Sequence, residues 1–345
     1  MGPALVLHRK IGIPQASLWS STGPAGELSR NGRIWNAGHS AAGGCGRAAG
    51  YLAVAAIVTS LSEPVVGRAA ARASASIVLG GGRASQAALA ANDVRRGLAL
   101  WRLWSKLGWN DILQRYRRSV LGPLWLTMSM TTTVVALGIV YAHIFKMPLQ
   151  DFMPFLCVGM LVWGLLSSFL SEAGTLFVGA ESFIKQVRLP YSVYVFRFIW
   201  SRVIIFAHNF LIYFGILVYF QLWPGAGVLY AIPALAVLIL NGLCAATTLG
   251  ILSARFRDIP QIIVSLVQIL FLVTPIMWKP ELLSGREALM TFNPVFHLLE
   301  LIRAPLLGQL PTTTNVGAAA IITTINFAVA CSLFVRFRSR LAYWV

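Results

Sequence analysis

Long apolar stretches separated by short polar connections dominate the chain from residue 93 onward. Each stretch holds about 20 mostly apolar residues, which is the length that a helix needs to cross roughly 30 Å of hydrocarbon. Backbone polar groups in lipid must be satisfied within their own segment, so we expect each stretch to be a helix. The pattern predicts an all-α membrane protein whose transmembrane domain, 122–345, has six transmembrane helices, over residues 122–145, 152–173, 193–220, 229–253, 259–278 and 316–335.

Three further segments differ from these spans. Residues 1–92 are rich in Ala, Gly, Ser and Arg with weak periodicity, so we expect a disordered extension or one produced by an upstream start codon. Within 93–121, leucines recur at helical spacing, with Arg102 and Lys106 on another side and tryptophans nearby. This pattern predicts an amphipathic helix in the membrane interface. The connection 279–311 is too long for a tight turn.

The composition indicates a polytopic membrane protein and argues against a water-soluble enzyme. Hydrophobic residues make up 57% and charged residues 11% of the chain, and the mean hydropathy is +0.72, whereas soluble domains have about 25% charged residues. The net charge is +17, with most cations in alternate connections; the opposite connections hold only Lys146, Lys279, Arg286 and Arg303. This bias predicts that both termini are cytoplasmic. The basic excess therefore reflects topology, and no nucleic-acid partner is expected.

Motifs for chemistry on this chain are missing from the sequence. It has no G-x-x-x-x-G-K-S/T loop for nucleotide phosphates, no H-E-x-x-H zinc motif and no C-x-x-C. Its aspartates are far apart, which argues against a membrane enzyme of glycolipid assembly, since such chemistry needs clustered carboxylates. We therefore expect no catalytic residue, no metal and no cofactor on this chain, and a passage that needs an external source of energy. The separated aspartates are Asp93, Asp111, Asp151 and Asp258.

A pattern that joins the amphipathic segment to the first span has a known counterpart. Its positions are Asp111, Arg115, Tyr116, Ser119, Leu121, Gly122 and Trp125. Downstream come Leu189-Pro190, Arg255 to Ile259, Thr274 to Ile276, and Asn293-Pro294. With these motifs, residues 95–345 resemble the membrane subunits of ABC exporters for O-antigen, capsule and teichoic-acid polymers, the type-2 ABC permeases. Asn110 departs from that pattern, where arginine is common, so no role is assigned to it.

The resemblance implies a bacterial inner-membrane permease that forms a homodimer with a channel between its protomers. A separate ATPase subunit would bind ATP and Mg²⁺ and drive the export of a lipid-linked polysaccharide. The alternatives are a type-2 ABC permease for a drug or another lipid, and an integral membrane enzyme of glycolipid assembly.

The site residues follow from the position of each segment and from the resemblance. The cationic cluster after the amphipathic helix is the candidate for the substrate phosphate; the alternative is ordinary anchoring to anionic membrane lipids. Its members are Arg115, Tyr116, Arg117 and Arg118. Residues 179–190 resemble the coupling helix that docks into the ATPase; the alternative is a solvated loop. The coupling candidates are Glu181, Phe183, Lys185, Arg188 and Pro190.

Two further sets concern the path itself. In the family, the region 279–311 forms short re-entrant extracytoplasmic helices before the last span, and the alternative is an ordered surface loop. The candidates for this gate are Pro275, Trp278, Asn293, Pro294, Glu300 and Arg303, with Glu300 and Arg303 at i, i+3 spacing. Aromatic rings and cations inside the spans are candidates for a glycan path, although such residues often serve packing or snorkel to the surface. These are Trp125, Tyr141, Trp163, Phe169, Arg197 and Arg202.

Overall fold

The computed structural model describes residues 83–117, 122, 124–279 and 288–345. All regular structure within these residues is helical. The helices are α1 Arg83–Ala99, α2 Trp101–Arg115, α3 Leu124–Ile144, α4 Leu149–Ser171, α5 Glu181–Gln186, α6 Tyr191–Asn209, α7 Leu211–Phe220, α8 Ala231–Arg255, α9 Ile259–Val273, α10 Ala288–Thr291, α11 Pro294–Leu306, α12 Thr313–Phe337 and α13 Leu341–Trp344.

Among the described residues, five helical segments are long and apolar enough to cross a membrane. They are Leu124–Ile144, Leu149–Thr175, Tyr191–Phe220, Ala226–Arg255 and Thr313–Trp344. The prediction of a multi-pass helical protein is thus confirmed, with five of the six predicted spans present as long helices.

The remaining predicted span, 259–278, differs from a long helix. Only Ile259–Val273 is helical, and its 15 residues extend about 22 Å, which is less than the roughly 30 Å of the hydrocarbon layer. Thr274 then has extended backbone angles, and Pro275 has no N–H with which to continue the helix. The chain bends from there to Trp278.

Helix α4 forms the centre of the described bundle. Most of its residues are buried, including Phe152, Leu156, Val162 and Phe169. A helix that is apolar on all sides suits such a position, because every face meets another helix. The other long helices keep much of their apolar surface exposed, as expected of helices that contact lipid on one side.

Two helices precede the first span where the sequence predicted one. The predicted boundary at residue 93 lies inside α1, which begins at Arg83, and α1 is separated from α2 at Leu100. Helix α2 packs on α6 through a face that contains Leu103, Gly108 and Ile112. Its Trp101, Trp109 and Leu113 are exposed together with the cations of the same helix.

Asp93 ties three separate parts of the fold together. Its carboxylate accepts hydrogen bonds from Ser192 N (3.1 Å), Ser192 Oγ (2.9 Å) and Tyr191 N (3.3 Å) at the start of α6. It also accepts from Arg338 Nε (2.9 Å), just after α12. The side chain is only 1% exposed. A carboxylate beside unpaired N–H groups at a helix N-terminus is favourable, so Asp93 fixes the junction of α1, α6 and α12.

Candidate functional site

A charged cavity of about 430 Å³ lies where α2, the end of α4 and α6 meet. Close packing of α2 on α6 brings these groups together: a Cβ on Gly108 would lie 3.0 Å from the backbone oxygen of Arg197, so only glycine fits there without a shift. The next turn of α2 then carries Asp111 and Arg115 into the cavity. The ionisable residues that line the cavity are Asp111, Arg115, Glu172, Tyr194, Arg197 and Arg202.

The first ion pair in this cavity is bidentate. Arg197 Nε donates to Asp111 Oδ2 at 2.7 Å, and its Nη2 donates to Oδ1. Both side chains are partly exposed. Arg197, a candidate for the glycan path, is thus held by Asp111 of α2. Two parallel N–H to oxygen bonds fix the guanidinium plane as well as its charge.

The second ion pair shares its carboxylate with another arginine. Arg202 donates to Glu172 through Nη1 at 3.0 Å and places Nη2 2.9 Å from the other oxygen. Arg115 Nη2 lies 4.0 Å from that same oxygen, at the limit of an ion pair. The guanidinium carbon of Arg202 also lies over the Phe198 ring, 5.3 Å from the ring centre. Arg202 is 12% exposed and Glu172 is 40% exposed.

Hydrogen-bonding capacity remains unused in the cavity. Within the described residues, the buried Tyr194 hydroxyl and the buried Arg202 Nε have no partner. The ionisable lining comprises three arginines and two carboxylates, so positive charge is in excess. Buried polar groups without partners are uncommon, and arginine suits planar bidentate contact with phosphate or carboxylate. The cavity is therefore chemically suited to an anion.

The four predicted phosphate residues have different positions. Arg115 lines the cavity. Tyr116 ends α2, where its N–H donates to Leu113 O at 3.3 Å. Arg117 is exposed in the following turn, and Arg118 lies outside the described residues.

The segment predicted to couple to an ATPase begins at the wall of this cavity. Gly179 and Ala180 line the cavity, and helix α5 follows directly. Lys185 Nζ donates to Glu181 Oε1 at 2.6 Å and to Val345 O at 3.3 Å. The hydrogen bond from Lys185, together with its charge, holds the pKa of Glu181 below its usual value.

The other coupling candidates frame this short helix. Phe183 is half-buried against the main apolar core. Arg188 is exposed, and Pro190 immediately precedes α6, whose first residue is Tyr191. The segment is thus an ordered helix between the cavity and the next span.

The predicted gate region contains a buried helix in its described part. Asn293 caps α11: its Oδ1 accepts from Val295 N (3.0 Å) and Phe296 N (3.3 Å), while its Nδ2 donates to Thr274 Oγ1 (2.9 Å). Pro294 occupies the first turn, where its missing N–H has no cost. Most residues of α11 are buried, so this part is a packed helix and no surface loop.

Arg303 anchors α11 to the bend that follows α9. Its side chain is 1% exposed, donates to the Pro275 backbone oxygen at 2.6 Å and pairs with Glu300 through Nε at 2.9 Å. Its guanidinium carbon lies 4.3 Å from the centre of the Phe155 ring on α4. The i, i+3 pair expected from the spacing is therefore formed, and Trp278 is half-buried beside the same bend.

Two of the aromatic path candidates lie in the interior of the protein. Phe169 packs in the core next to Gly242 of α8. The centres of the Trp163 and Phe271 rings are 5.6 Å apart. At 1% and 8% exposure, the Phe169 and Trp163 rings are both packed among neighbouring side chains within this chain. Trp125 on α3 is exposed.

Sequence reasoning missed three members of the cavity as site residues: Asp111, Glu172 and Tyr194. Asp111 was visible in the motif, and Glu172 was visible as a rare carboxylate at the end of an apolar stretch. Their partners were not visible, because Asp111 and Arg197 are 86 residues apart and Glu172 and Arg202 are 30 apart. Tyr194 carried no signal that separates it from the other span aromatics.

Comparison with known proteins gives one family and two relatives. Residues 102–307 match the family described as ABC-2 type transporter. The O-antigen export system permease protein RfbA of Myxococcus xanthus is 22% identical over 229 residues, which cover 65% of this chain and 88% of that protein. The protein of the same name from Klebsiella pneumoniae is 20% identical over 195 residues, covering 55% of this chain and 74% of the relative.

Proposed function

This chain belongs to the ABC-2 type transporter family, and we propose that it is the membrane permease subunit of an exporter for a lipid-linked polysaccharide. The observation that carries the proposal is the similarity to two O-antigen export permeases, one of them over 88% of its length. The charged cavity supports it, because a lipid-linked glycan presents phosphate beside its lipid.

The proposal includes a partner that supplies the energy. An ATPase subunit binds ATP and Mg²⁺, and this chain supplies the passage as a homodimer in the bacterial inner membrane. The short helix α5 docks into that ATPase. Its support is its position between two spans, with the cavity wall directly before it. The helix itself carries Glu181 and Lys185, and Arg188 follows it.

The proposed topology has both termini in the cytoplasm and six membrane crossings. Helix α9 with the bend after it supplies the crossing that is too short as a helix alone. The buried helix α11 acts as a re-entrant element that closes the outer exit. The alternation of basic connections supports this orientation, and an even number of crossings keeps the basic segments at both ends of the described chain on one side.

The decisive experiment is deletion of the gene in its host, followed by localisation of the polymer. Accumulation of lipid-linked glycan on the cytoplasmic side, reversed by the wild-type gene, is the expected result. Loss of polymer synthesis itself would favour an enzyme of glycolipid assembly. Normal surface polymer with altered drug sensitivity would favour a permease for another cargo.

Coupling is tested by substituting α5 without disturbing the spans. Phe183→Ala and Lys185→Gln should lower export while membrane insertion and amount of protein stay unchanged, since α5 has no fully buried residue. The matched control is Arg102→Gln, an exposed cation on α2. Unchanged export in both α5 variants would contradict the coupling role.

A further inference from the structure

We propose that the charged cavity is a carboxylate-for-phosphate exchange site, in which Glu172 holds the place that a lipid diphosphate takes on loading. This inference rests on the proposed function and names the chemistry that the permease recognises. Arg202, Arg115 and the Tyr194 hydroxyl bind the diphosphate, and Glu172 withdraws from Arg202 as it enters. Asp111 keeps Arg197 in position throughout.

The charges make such an exchange favourable. Glu172 is shared by Arg202 at 2.9 Å and Arg115 at 4.0 Å, so one carboxylate faces two guanidinium groups. A diphosphate carries more negative charge and more acceptor oxygens than a carboxylate, and so satisfies both arginines together. The poorly paired Arg115 gains most, because at 4.0 Å it makes no hydrogen bond to Glu172.

The unused donors point to the same ligand. The Tyr194 hydroxyl is buried without a partner, on a residue that is only 4% exposed, and Arg202 Nε is buried without a partner as well. Both lie on side chains that line the cavity. A buried donor left unsatisfied costs free energy that an acceptor in the cavity restores. An anion with several oxygens supplies such acceptors, whereas Glu172 has only two, and Arg202 Nη1 and Nη2 already engage both.

The two carboxylates differ in how readily they leave. Asp111 is bound through two close contacts to Arg197 on the α2–α6 contact surface. Glu172 instead sits at the C-terminus of α4, is 40% exposed and is followed by 3-10 turns rather than a rigid helix. A carboxylate at a helix C-terminus is also disfavoured by the helix dipole. The cavity volume of about 430 Å³ is within the range of small-molecule sites, roughly 300–1,000 Å³.

The test measures binding of geranylgeranyl diphosphate to the purified full chain in phosphatidylcholine nanodiscs. The variants are Arg202→Gln, Tyr194→Phe and Glu172→Gln, and Arg102→Gln is the matched control. We expect Arg202→Gln to weaken binding about tenfold or more and Tyr194→Phe about threefold to tenfold. Glu172→Gln should tighten binding several-fold, because it removes the competing charge, and the control should bind as wild type.

The opposite sign for Glu172→Gln keeps the test valid even if Arg202→Gln folds poorly. Equal or weaker binding by Glu172→Gln, or an Arg202→Gln affinity equal to that of the control, would overturn the exchange site. Geranylgeraniol without phosphate should not bind. Displacement of the probe by an equal concentration of phosphatidylglycerol would identify an ordinary phospholipid headgroup as the occupant and would also overturn it.

The binding measurements and the deletion strain together separate this inference from the proposed function. Cytoplasmic accumulation of glycan in the deletion strain, with binding indifferent to Arg202 and Glu172, would reject the exchange site alone. Normal surface polymer in that strain, with binding that follows the predicted order, would reject the polysaccharide cargo and retain a diphosphate site.

Discussion

Replacing Asp93 by asparagine changes one carboxylate oxygen into an amide NH2 group at the junction of α1, α6 and α12. The substitution keeps the size of the side chain and one oxygen acceptor but removes the negative charge. The charge faces Arg338 Nε at 2.9 Å and the first N–H groups of α6. Both neighbours are donors, and the new amide group brings an N–H of its own into a site that is 1% exposed.

The expected loss of stability can be worked from these contacts. A hydrogen bond to a charged group contributes about 1.5–3 kcal/mol, and a negative charge at a helix N-terminus contributes about 0.3–1 kcal/mol. Because asparagine retains one acceptor and Arg338 is partly exposed, we expect Asp93→Asn to lower the free energy of unfolding by about 2–3 kcal/mol. Asp258→Asn is the matched control: this exposed aspartate precedes α9 without a capping hydrogen bond.

The assay is unfolding of the purified full chain in mixed micelles, followed by tryptophan fluorescence. A double-mutant cycle with Arg338→Gln isolates the ion pair, and its coupling energy should exceed the roughly 0.5 kcal/mol seen for independent sites. Equal stability of Asp93→Asn and Asp258→Asn, or additive effects in the cycle, would refute the assignment of Asp93 as the residue that joins the three helices.

Two further predictions address packing and charge. Gly242→Ala should destabilise the protein by about 1–3 kcal/mol, because the new Cβ would lie 2.5 Å from the Phe169 ring. Gly164→Ala is the control, since there is open space around Gly164. Equal melting temperatures of the two variants would contradict the close contact. The titration midpoint of Glu181, followed by NMR, should lie below the midpoint of Glu181 in a Lys185→Gln variant. Since the pKa of Glu181 is lowered in the folded protein, the ion pair stabilises the fold above the unfolded-state pKa, and this stabilisation is lost as the pH falls through the folded-state pKa. Identical midpoints in the two proteins would contradict the ion pair.

The amino-acid sequence by itself determined the class of the protein and most of its spans. Apolar stretches of about 20 residues have one stable arrangement in lipid, the helix, so length and hydropathy were sufficient for five of them. Within 259–278 only Ile259–Val273 is helical, and hydropathy does not register the backbone turn at Thr274 and Pro275. The boundary at residue 93 falls inside α1, because the first part of that helix is rich in alanine, like the segment before it, and has Leu89 as its only large apolar residue.

Only the tertiary structure decided which of these residues meet. Apolar periodicity shows that a helix has a buried face but not which helix covers it, so the pairing of Arg202 with Glu172, and of Asp93 with Ser192 and Arg338, was not readable along the chain. The same limit hid the burial of Phe169. Pairing across tens or hundreds of residues depends on how helices pack, and that packing here rests on close contacts such as Gly108 against α6, which a one-dimensional pattern does not contain.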